Sequence, residues 1–190
     1  MGGGDKGLRT LAGKPILSHV IARARPQVAA LMLNANGSPE RFADFGLPVA
    51  ADSVEGHAGP LAGVLTGLDW AAREAPQCHW VASFACDAPF LPEDLVSRLI
   101  AAVEEAGADL ACAASLDRQH PVFGLWPLRL RDELRRALLE EEIRKVDVWT
   151  SRYRLSTVQF EAIEMPGGSV DPFFNANRPE DIEAAERVLG

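Results

Sequence analysis

The stretch that decides the fold is Val81-Ala82-Ser83-Phe84-Ala85-Cys86-Asp87-Ala88-Pro89. Its first part carries no charge and has the length of one buried strand. A carboxylate and a proline then end the run, because proline cannot donate to a strand ladder. The stretch therefore predicts a central strand of an α/β protein, with Asp87 at its carboxyl end.

Helices and strands alternate on both sides of this stretch, as in a mostly parallel sheet covered by helices. We predict strands at 29–33, 48–51, 80–86, 109–114, 121–126 and 157–161. We predict helices at 15–25, 38–45, 60–75, 92–106, 128–154 (broken near 146) and 179–189. A chain of 190 residues is the size of one such domain, which we assign to 1–190.

Composition excludes several classes of protein. The net charge of −8 argues against nucleic-acid binding, which depends on lysine and arginine contacts to phosphates. No apolar run reaches the length of about 20 residues that a membrane span needs. The three cysteines show no CxxC pattern, and the two that lie in apolar runs are predicted to be small buried side chains. An odd, unpatterned count predicts a reducing cytoplasm.

Polar residues follow three predicted strands, at Asn34, Asp52 and Asp87. In open α/β sheets, ligands bind beyond the carboxyl ends of the strands. Asp87 could hold Mg²⁺, which favours few carboxylates together with water and phosphate oxygens. A turn or helix-capping role is the alternative for this aspartate. The three positions together predict a ligand site at one edge of the sheet.

The chain opens with Met1-Gly2-Gly3-Gly4-Asp5-Lys6-Gly7. Glycine N–H groups can form an anion-binding concavity, and Lys6 adds a positive charge beside it. A Walker loop is excluded because it requires Gly-Lys-Ser/Thr. A dinucleotide fingerprint is disfavoured because no strand precedes the run. A phosphate loop and a mobile tail remain the two interpretations.

Two further segments are distinctive. Gly59-Pro60-Leu61-Ala62-Gly63 opens a helix whose N–H groups could meet an anion, although ordinary helix initiation explains it as well. Phe173-Phe174-Asn175-Ala176-Asn177 precedes a helix that begins with proline. Asn177 could bind a ligand amide or carbonyl group, and a turn or cap is its alternative role. We interpret His120 and Lys145 as structural or solvated residues.

Taken in order, these segments resemble the molybdenum cofactor guanylyltransferases. The similarity covers the glycine run with Lys6, the segment 11–17, Asn34-Ala35-Asn36, Asp52, the segment 59–63, Cys86-Asp87-Ala88-Pro89, His120-Pro121 and the segment 174–177. The family's opening strand, with its Leu-Ala-Gly-Gly motif, has no counterpart in this chain. We therefore expect a three-layer Rossmann-like nucleotidyltransferase fold whose first strand is missing.

The resemblance implies a reaction and a set of site residues. The terminal phosphate of molybdopterin would attack the α-phosphate of GTP, releasing pyrophosphate and forming the guanine dinucleotide. Gly3, Gly4 and Lys6 would hold the triphosphate, with Lys6 and Asp87 as the catalytic pair and Asp87 as the Mg²⁺ ligand. The nucleoside would contact Asn34 and Asp52, and molybdopterin or the metal site would contact Asn175 and Asn177. Contact with molybdoenzymes or their chaperones is also implied.

Two other functions stay open at this stage. One is a related transferase that uses CTP with molybdopterin, or that acts on a sugar phosphate. The other is a non-catalytic molybdopterin carrier. The double asparagine before the last helix favours molybdopterin over a sugar, and nucleotide binding would separate a transferase from a carrier.

Overall fold

The computed structural model describes residues 6–54, 56 and 59–190. The α-helices are α1 (Ile16–Ala24), α2 (Pro60–Glu74), α3 (Leu95–Ala106), α4 (Arg131–Leu139), α5 (Val146–Thr150) and α6 (Pro179–Leu189). The strands are β1 (Thr10–Leu11), β2 (Lys14–Pro15), β3 (Leu33–Asn34), β4 (Val49–Ala50), β5 (Trp80–Ala82), β6 (Leu110–Ser115), β7 (Arg118–Pro127), β8 (Leu155–Gln159), β9 (Ile163–Met165) and β10 (Gly168–Val170). Short 3-10 helices lie at Lys6–Leu8, Arg25–Gln27, Pro39–Phe45 and Leu128–Leu130.

The main sheet has the strand order β5-β7-β6-β8. Strand β7 is antiparallel to both of its neighbours, whereas β6 and β8 are parallel. The reversal at β7 comes from a tight hairpin in which Leu116 and Asp117 both adopt positive φ, at 45° and 58°. Positive φ at both central residues is the geometry that matches strand twist in a two-residue turn. Three of the four strands of this sheet run in one direction, which confirms the mostly parallel α/β arrangement.

Helices cover both faces of the main sheet. Because successive side chains of a strand point to opposite faces, neighbouring residues enter different cores. On β7, Leu125 joins a core with α3, while the adjacent Trp126 joins a second core with α2 and α4. On β6, Ala111 and Leu110 divide in the same way. The result is the three-layer architecture expected from the sequence.

A cavity of about 610 Å³ separates β5 from β3. Strand β3 pairs only with β4, in parallel, and does not join the main sheet. The strands predicted at 29–33 and 80–86 are correspondingly shorter, since β3 begins at Leu33 and β5 ends at Ala82. Strand pairing needs a neighbour at about 4.8 Å, and the cavity occupies that place on the facing sides of both segments.

Several local elements differ from the predictions. The hairpins β1–β2 and β9–β10 were not expected, since their strands are only two and three residues long. The long helix predicted at 128–154 is divided into a 3-10 turn, α4 and α5, and Glu142 between them has φ of 53°. No helix within the described ranges is long and apolar enough to cross a membrane.

A buried polar contact joins the end of β6 to the segment before α6. The Ser115 hydroxyl donates to Asp171 Oδ1 at 2.7 Å and lies 2.7 Å from His120 Nε2. Because the hydroxyl has one proton and gives it to the carboxylate, His120 Nε2–H must donate to Ser115 Oγ. The His120 ring packs on Phe173 with centroids 4.8 Å apart, and the Phe173 N–H donates to Asp171 Oδ1 at 2.9 Å. The contact fixes where residues 171–173 meet the sheet.

We expect Ser115→Ala to lower the free energy of unfolding by about 1–3 kcal/mol, because it removes a partner from two polar groups at a buried position. Ser115 is 1% exposed. Thermal or urea unfolding measures the change. Ser151→Ala is the matched control, since that exposed hydroxyl donates only to the Val148 carbonyl. Its cost should stay within about 0.5 kcal/mol. Equal costs for the two variants would contradict the assigned contact.

Stability should also fall in mild acid through His120. Burial lowers the pKa of His120 and Arg118 adds to this, while Asp171 opposes it. The unfolded chain therefore takes up a proton at a higher pH than the folded one, so the stabilisation is complete above the ordinary histidine pKa and declines as pH falls below it. His120→Gln keeps an N–H donor but cannot titrate. The melting temperature of the variant should drop less than that of the wild type between pH 7 and pH 5, and parallel profiles would refute this role.

Candidate functional site

Three residues from distant parts of the chain meet at Lys6, Asp87 and Asn177. Lys6 Nζ donates to Asn177 Oδ1 at 2.5 Å and lies 3.9 Å from Asp87 Oδ2. The Asp87 side chain is 13% exposed, whereas that of Lys6 is 53% exposed. A mostly buried carboxylate beside an accessible ammonium group and an amide oxygen gives one cation, one anion and one neutral acceptor at a single point.

Backbone contacts hold Asp87 in this position. It lies in a turn five residues beyond the end of β5 rather than directly after the strand, which corrects the predicted strand boundary. The Ala176 N–H donates to the Asp87 carbonyl at 2.9 Å. Gly7 packs against the preceding turn so closely that a Cβ there would lie 3.1 Å from the Cys86 carbonyl oxygen. Glycine at this position lets the two segments meet without a shift of the Cys86 backbone.

Asn177 is fixed on its main-chain side by the start of α6. The N–H groups of Asn177 and Arg178 both donate to Asp181 Oδ2, at 2.9 Å and 2.8 Å. This closes a capping box at the first turn of the helix. The Arg9 guanidinium donates from Nη1 to the Asn177 carbonyl oxygen. The side chain of Asn177 is thereby left to point at Lys6.

A second polar cluster lies at the ends of β3 and β4. Asp52 accepts hydrogen bonds from Asn34 Nδ2 at 3.0 Å and from Asn36 Nδ2 at 2.8 Å, one on each carboxylate oxygen. The Asp52 N–H donates back to Asn36 Oδ1 at 2.8 Å. A Cβ on Gly63 would lie 2.7 Å from Asn34 Oδ1, so a larger residue in the first turn of α2 would displace the Asn34 side chain from this position. The cluster orients the Asn34 carbonyl toward α2.

One cavity begins at the second cluster and ends at the turn before Asp87, and its lining does not include Lys6, Asp87 or Asn177. Its lining includes Asn34, Asn36 and Asp52 at one side and Cys86, the neighbour of Asp87, at the other. Gly59 and Pro60, at the start of α2, also line it. Free N–H groups at a helix start favour an anion, so the polar part of this cavity lies between the second cluster and a helix terminus.

The structure brings together most of the site residues predicted from the sequence. Lys6, Asp87 and Asn177 form one cluster, and Asn34 and Asp52 form the other. Asn175 does not join either through its side chain, which is exposed and bonds to no other described residue, while its carbonyl accepts from the Asn177 N–H at 3.0 Å. Gly3 and Gly4 lie outside the described residues.

Sequence reasoning missed two residues at these clusters. Asn36 donates to the second carboxylate oxygen of Asp52. The spacing Asn34-Ala35-Asn36 was the sequence pattern that could have identified it. The Arg9 side chain contacts Asn177, which lies 168 positions away in the sequence, and no local sequence pattern predicts such a contact.

The donor set near Asp87 suits a hard cation. The Asp87 carboxylate is a ligand type that Mg²⁺ and Mn²⁺ accept, with water and phosphate oxygens completing the shell, whereas Asn177 Oδ1 is engaged by Lys6 Nζ. No group of three or more histidine, cysteine, aspartate or glutamate side chains capable of holding a metal occurs among the described residues. A metal bound here would therefore depend on oxygens of its substrate.

Comparison with known proteins gives a family. The MobA-like NTP transferase domain model matches residues 1–153. The molybdenum cofactor guanylyltransferase of Rhodopseudomonas palustris (strain BisB5) is 56% identical over 188 residues, which cover 99% of this chain and 87% of that protein.

Solved structures show the same fold. Molybdopterin-guanine dinucleotide biosynthesis protein A from Archaeoglobus fulgidus superimposes with a TM-score of 0.72 at 23% identity, over 98% of this chain and 91% of that one. A Mycobacterium tuberculosis H37Rv protein in complex with manganese superimposes with a TM-score of 0.67 at 17% identity, over 96% and 92% of the two chains. With the family model and the identity above, these results show that the chain belongs to the MobA-like NTP transferase family and is a nucleotidyltransferase of the molybdenum cofactor guanylyltransferase type.

Proposed function

We propose that this protein transfers GMP from GTP to the terminal phosphate of molybdopterin and releases pyrophosphate. The observation that carries the proposal is the meeting of Lys6, Asp87 and Asn177 at one point, with Lys6 Nζ 3.9 Å from Asp87 Oδ2. A relative that is 56% identical carries the name molybdenum cofactor guanylyltransferase. That name supports GTP as donor and the molybdenum cofactor as acceptor.

The reaction needs charge neutralisation and alignment more than covalent catalysis. An oxygen of the acceptor phosphate forms a bond to Pα of GTP, and the bond from Pα to the bridging oxygen of pyrophosphate breaks. Lys6 neutralises developing negative charge at this centre. Asp87 would hold Mg²⁺, which when bound supplies further positive charge to the phosphates and the leaving pyrophosphate. Asn177 accepts a hydrogen bond from the Lys6 ammonium group and so holds the lysine side chain in one rotamer.

The nucleoside end of GTP is assigned to the cluster of Asn34, Asn36 and Asp52. Both oxygens of Asp52 are engaged by asparagine amides, so its role here is to orient those amides. The Asn34 carbonyl, held toward α2, is the acceptor that a ligand N–H or hydroxyl group would meet. The cavity beside this cluster extends to the turn at Cys86, next to Asp87, which supports placing the phosphates on the Asp87 side.

A manganese complex of a structural relative supports a divalent metal as part of the mechanism, and we infer Mg²⁺ at Asp87. The cysteines Cys78, Cys86 and Cys112 are all free thiols, which suits a reducing cytoplasm, where we place the reaction.

We expect Asp87→Asn to reduce Mg²⁺-dependent transfer by about 100-fold or more, because the isostere loses the charge that holds the metal and metal-borne stabilisation is worth several kcal/mol. Initial rates of dinucleotide formation at saturating Mg²⁺ measure this. Asp94→Asn is the matched control, since Asp94 is 61% exposed and 3.7 Å from Arg98, away from the cluster. Full activity in Asp87→Asn would remove Asp87 from the reaction.

Asp52→Asn should weaken GTP binding by about tenfold, a typical loss when a charge-assisted hydrogen-bond pair is broken. The new amide would face the Asn34 or Asn36 amide donor to donor and open the cluster. Thermal shifts with GTP, CTP and ATP, each with Mg²⁺, should favour GTP in the wild type and show a smaller GTP shift in the variant. Asp44→Asn, on the exposed side of the neighbouring 3-10 helix, should behave as wild type. A larger shift with CTP would instead identify a cytidylyl transferase, and none with any nucleotide would favour a carrier.

A further inference from the structure

Arg9 lies beside the catalytic cluster with its backbone held on both sides. Its N–H donates to the Lys6 carbonyl at 3.2 Å, and its carbonyl accepts from the Ile16 N–H at 2.8 Å. The side chain is half-buried, and its Nη1 donates to the main-chain oxygen of Asn177. Lys6 contacts the side-chain oxygen of the same asparagine. Two cations three positions apart therefore bracket one residue.

The charge of Arg9 has no carboxylate partner among the residues that the structure describes. Other partly buried arginines do have one: Arg23 lies 3.5 Å from Glu93, and Arg135 lies 2.6 Å from Asp69. A guanidinium has five N–H donors, and the contact to Asn177 uses one of them. The guanidinium is half-buried and keeps N–H donors that no carboxylate among the described residues uses, so an anion that arrives with a ligand has donors to bind.

The proposed reaction brings two phosphate groups together. The attacking oxygen must reach about 3–3.5 Å from Pα before the bond forms, so both phosphates crowd into one place. Two like-charged groups repel each other at that distance unless each has a cation. Lys6, at the Asp87 side of Asn177, is placed for the phosphate of the nucleotide. Arg9, at the main-chain side, is placed for the phosphate of the other substrate.

We propose that Arg9 is the residue that binds the acceptor's phosphate monoester and orients its oxygen toward Pα. A planar guanidinium suits this role, because it can bind two phosphate oxygens while it keeps its bond to the Asn177 carbonyl. This assignment rests on the proposed function, since it requires a phosphorylated acceptor. It adds a specificity: an acceptor alcohol without a phosphate would not be used.

The test uses the full chain with Arg9→Met and Arg9→Lys, and Arg25→Met as the matched control on an exposed arginine. Arg9→Met should raise KM for molybdopterin by about tenfold or more, the usual size of a lost charge-assisted contact, while the Kd of GTP stays within about twofold. Arg9→Lys should recover part of the loss. Unchanged KM for molybdopterin, or an equal loss of GTP affinity, would overturn the assignment. A fall in kcat alone would also overturn it, leaving Arg9 as a support for Asn177.

A second measurement separates this idea from the proposed function. Binding of inorganic phosphate is measured by calorimetry in the absence of nucleotide and molybdopterin. Wild type and Arg25→Met should bind it with the same Kd, and Arg9→Met should bind it about tenfold more weakly. If the wild type transfers nothing from GTP but this pattern holds, the anion site stands and the proposed reaction fails. Equal phosphate binding by all three proteins overturns the anion site itself.

Discussion

The hydrogen bond between Lys6 Nζ and Asn177 Oδ1 is the contact on which the site depends, because it joins residues 171 positions apart. A lysine side chain has many rotamers, so Lys6 needs a partner to stay in one of them. The Asp181 cap, the Ala176 bond to the Asp87 carbonyl and the Arg9 bond fix Asn177 first. Lys6 then bonds to an acceptor that is already in place. The conformational entropy of its side chain is therefore lost on folding and not on ligand binding.

Much of this arrangement could be predicted from the sequence. The periodic segments gave α2, α3 and α6 to within a few residues. The polar residues after the predicted strands lie in two clusters, one after the β3–β4 pair and one beyond β5 of the main sheet. Asp87 was identified because a carboxylate and a proline stop an apolar run, and Asn34 and Asp52 because strand ends converge. These inferences use local pattern and one rule of topology, and both operate over short stretches of chain.

The remainder depends on contacts that local pattern does not encode. Arg9 resembles any arginine between a 3-10 turn and a hairpin, and its role follows only from where α6 places the Asn177 carbonyl. Asn175 looked equivalent to Asn177 in sequence, yet only the latter turns its amide inward, because the two N–H groups that face Asp181 fix its backbone. The predicted lengths of β3 and β5 were wrong for a related reason. Both segments line the cavity, where neither has a neighbouring strand to pair with, whatever the β-propensity of their residues.

The hairpin β6–β7 and the Lys6–Asn177 contact differ in the length of chain that each one closes. The strands of the hairpin are joined by the two residues Leu116 and Asp117, so this pairing closes with little loss of chain entropy. The contact between Lys6 and Asn177 closes a loop of 171 positions, so its cost in chain entropy is much larger than that of the hairpin. Local opening that detaches α6 and the segment before it would separate Asn177 from Lys6 while the main sheet persists. The arrangement of Lys6, Asp87 and Asn177 can therefore be lost from a molecule whose main sheet is intact.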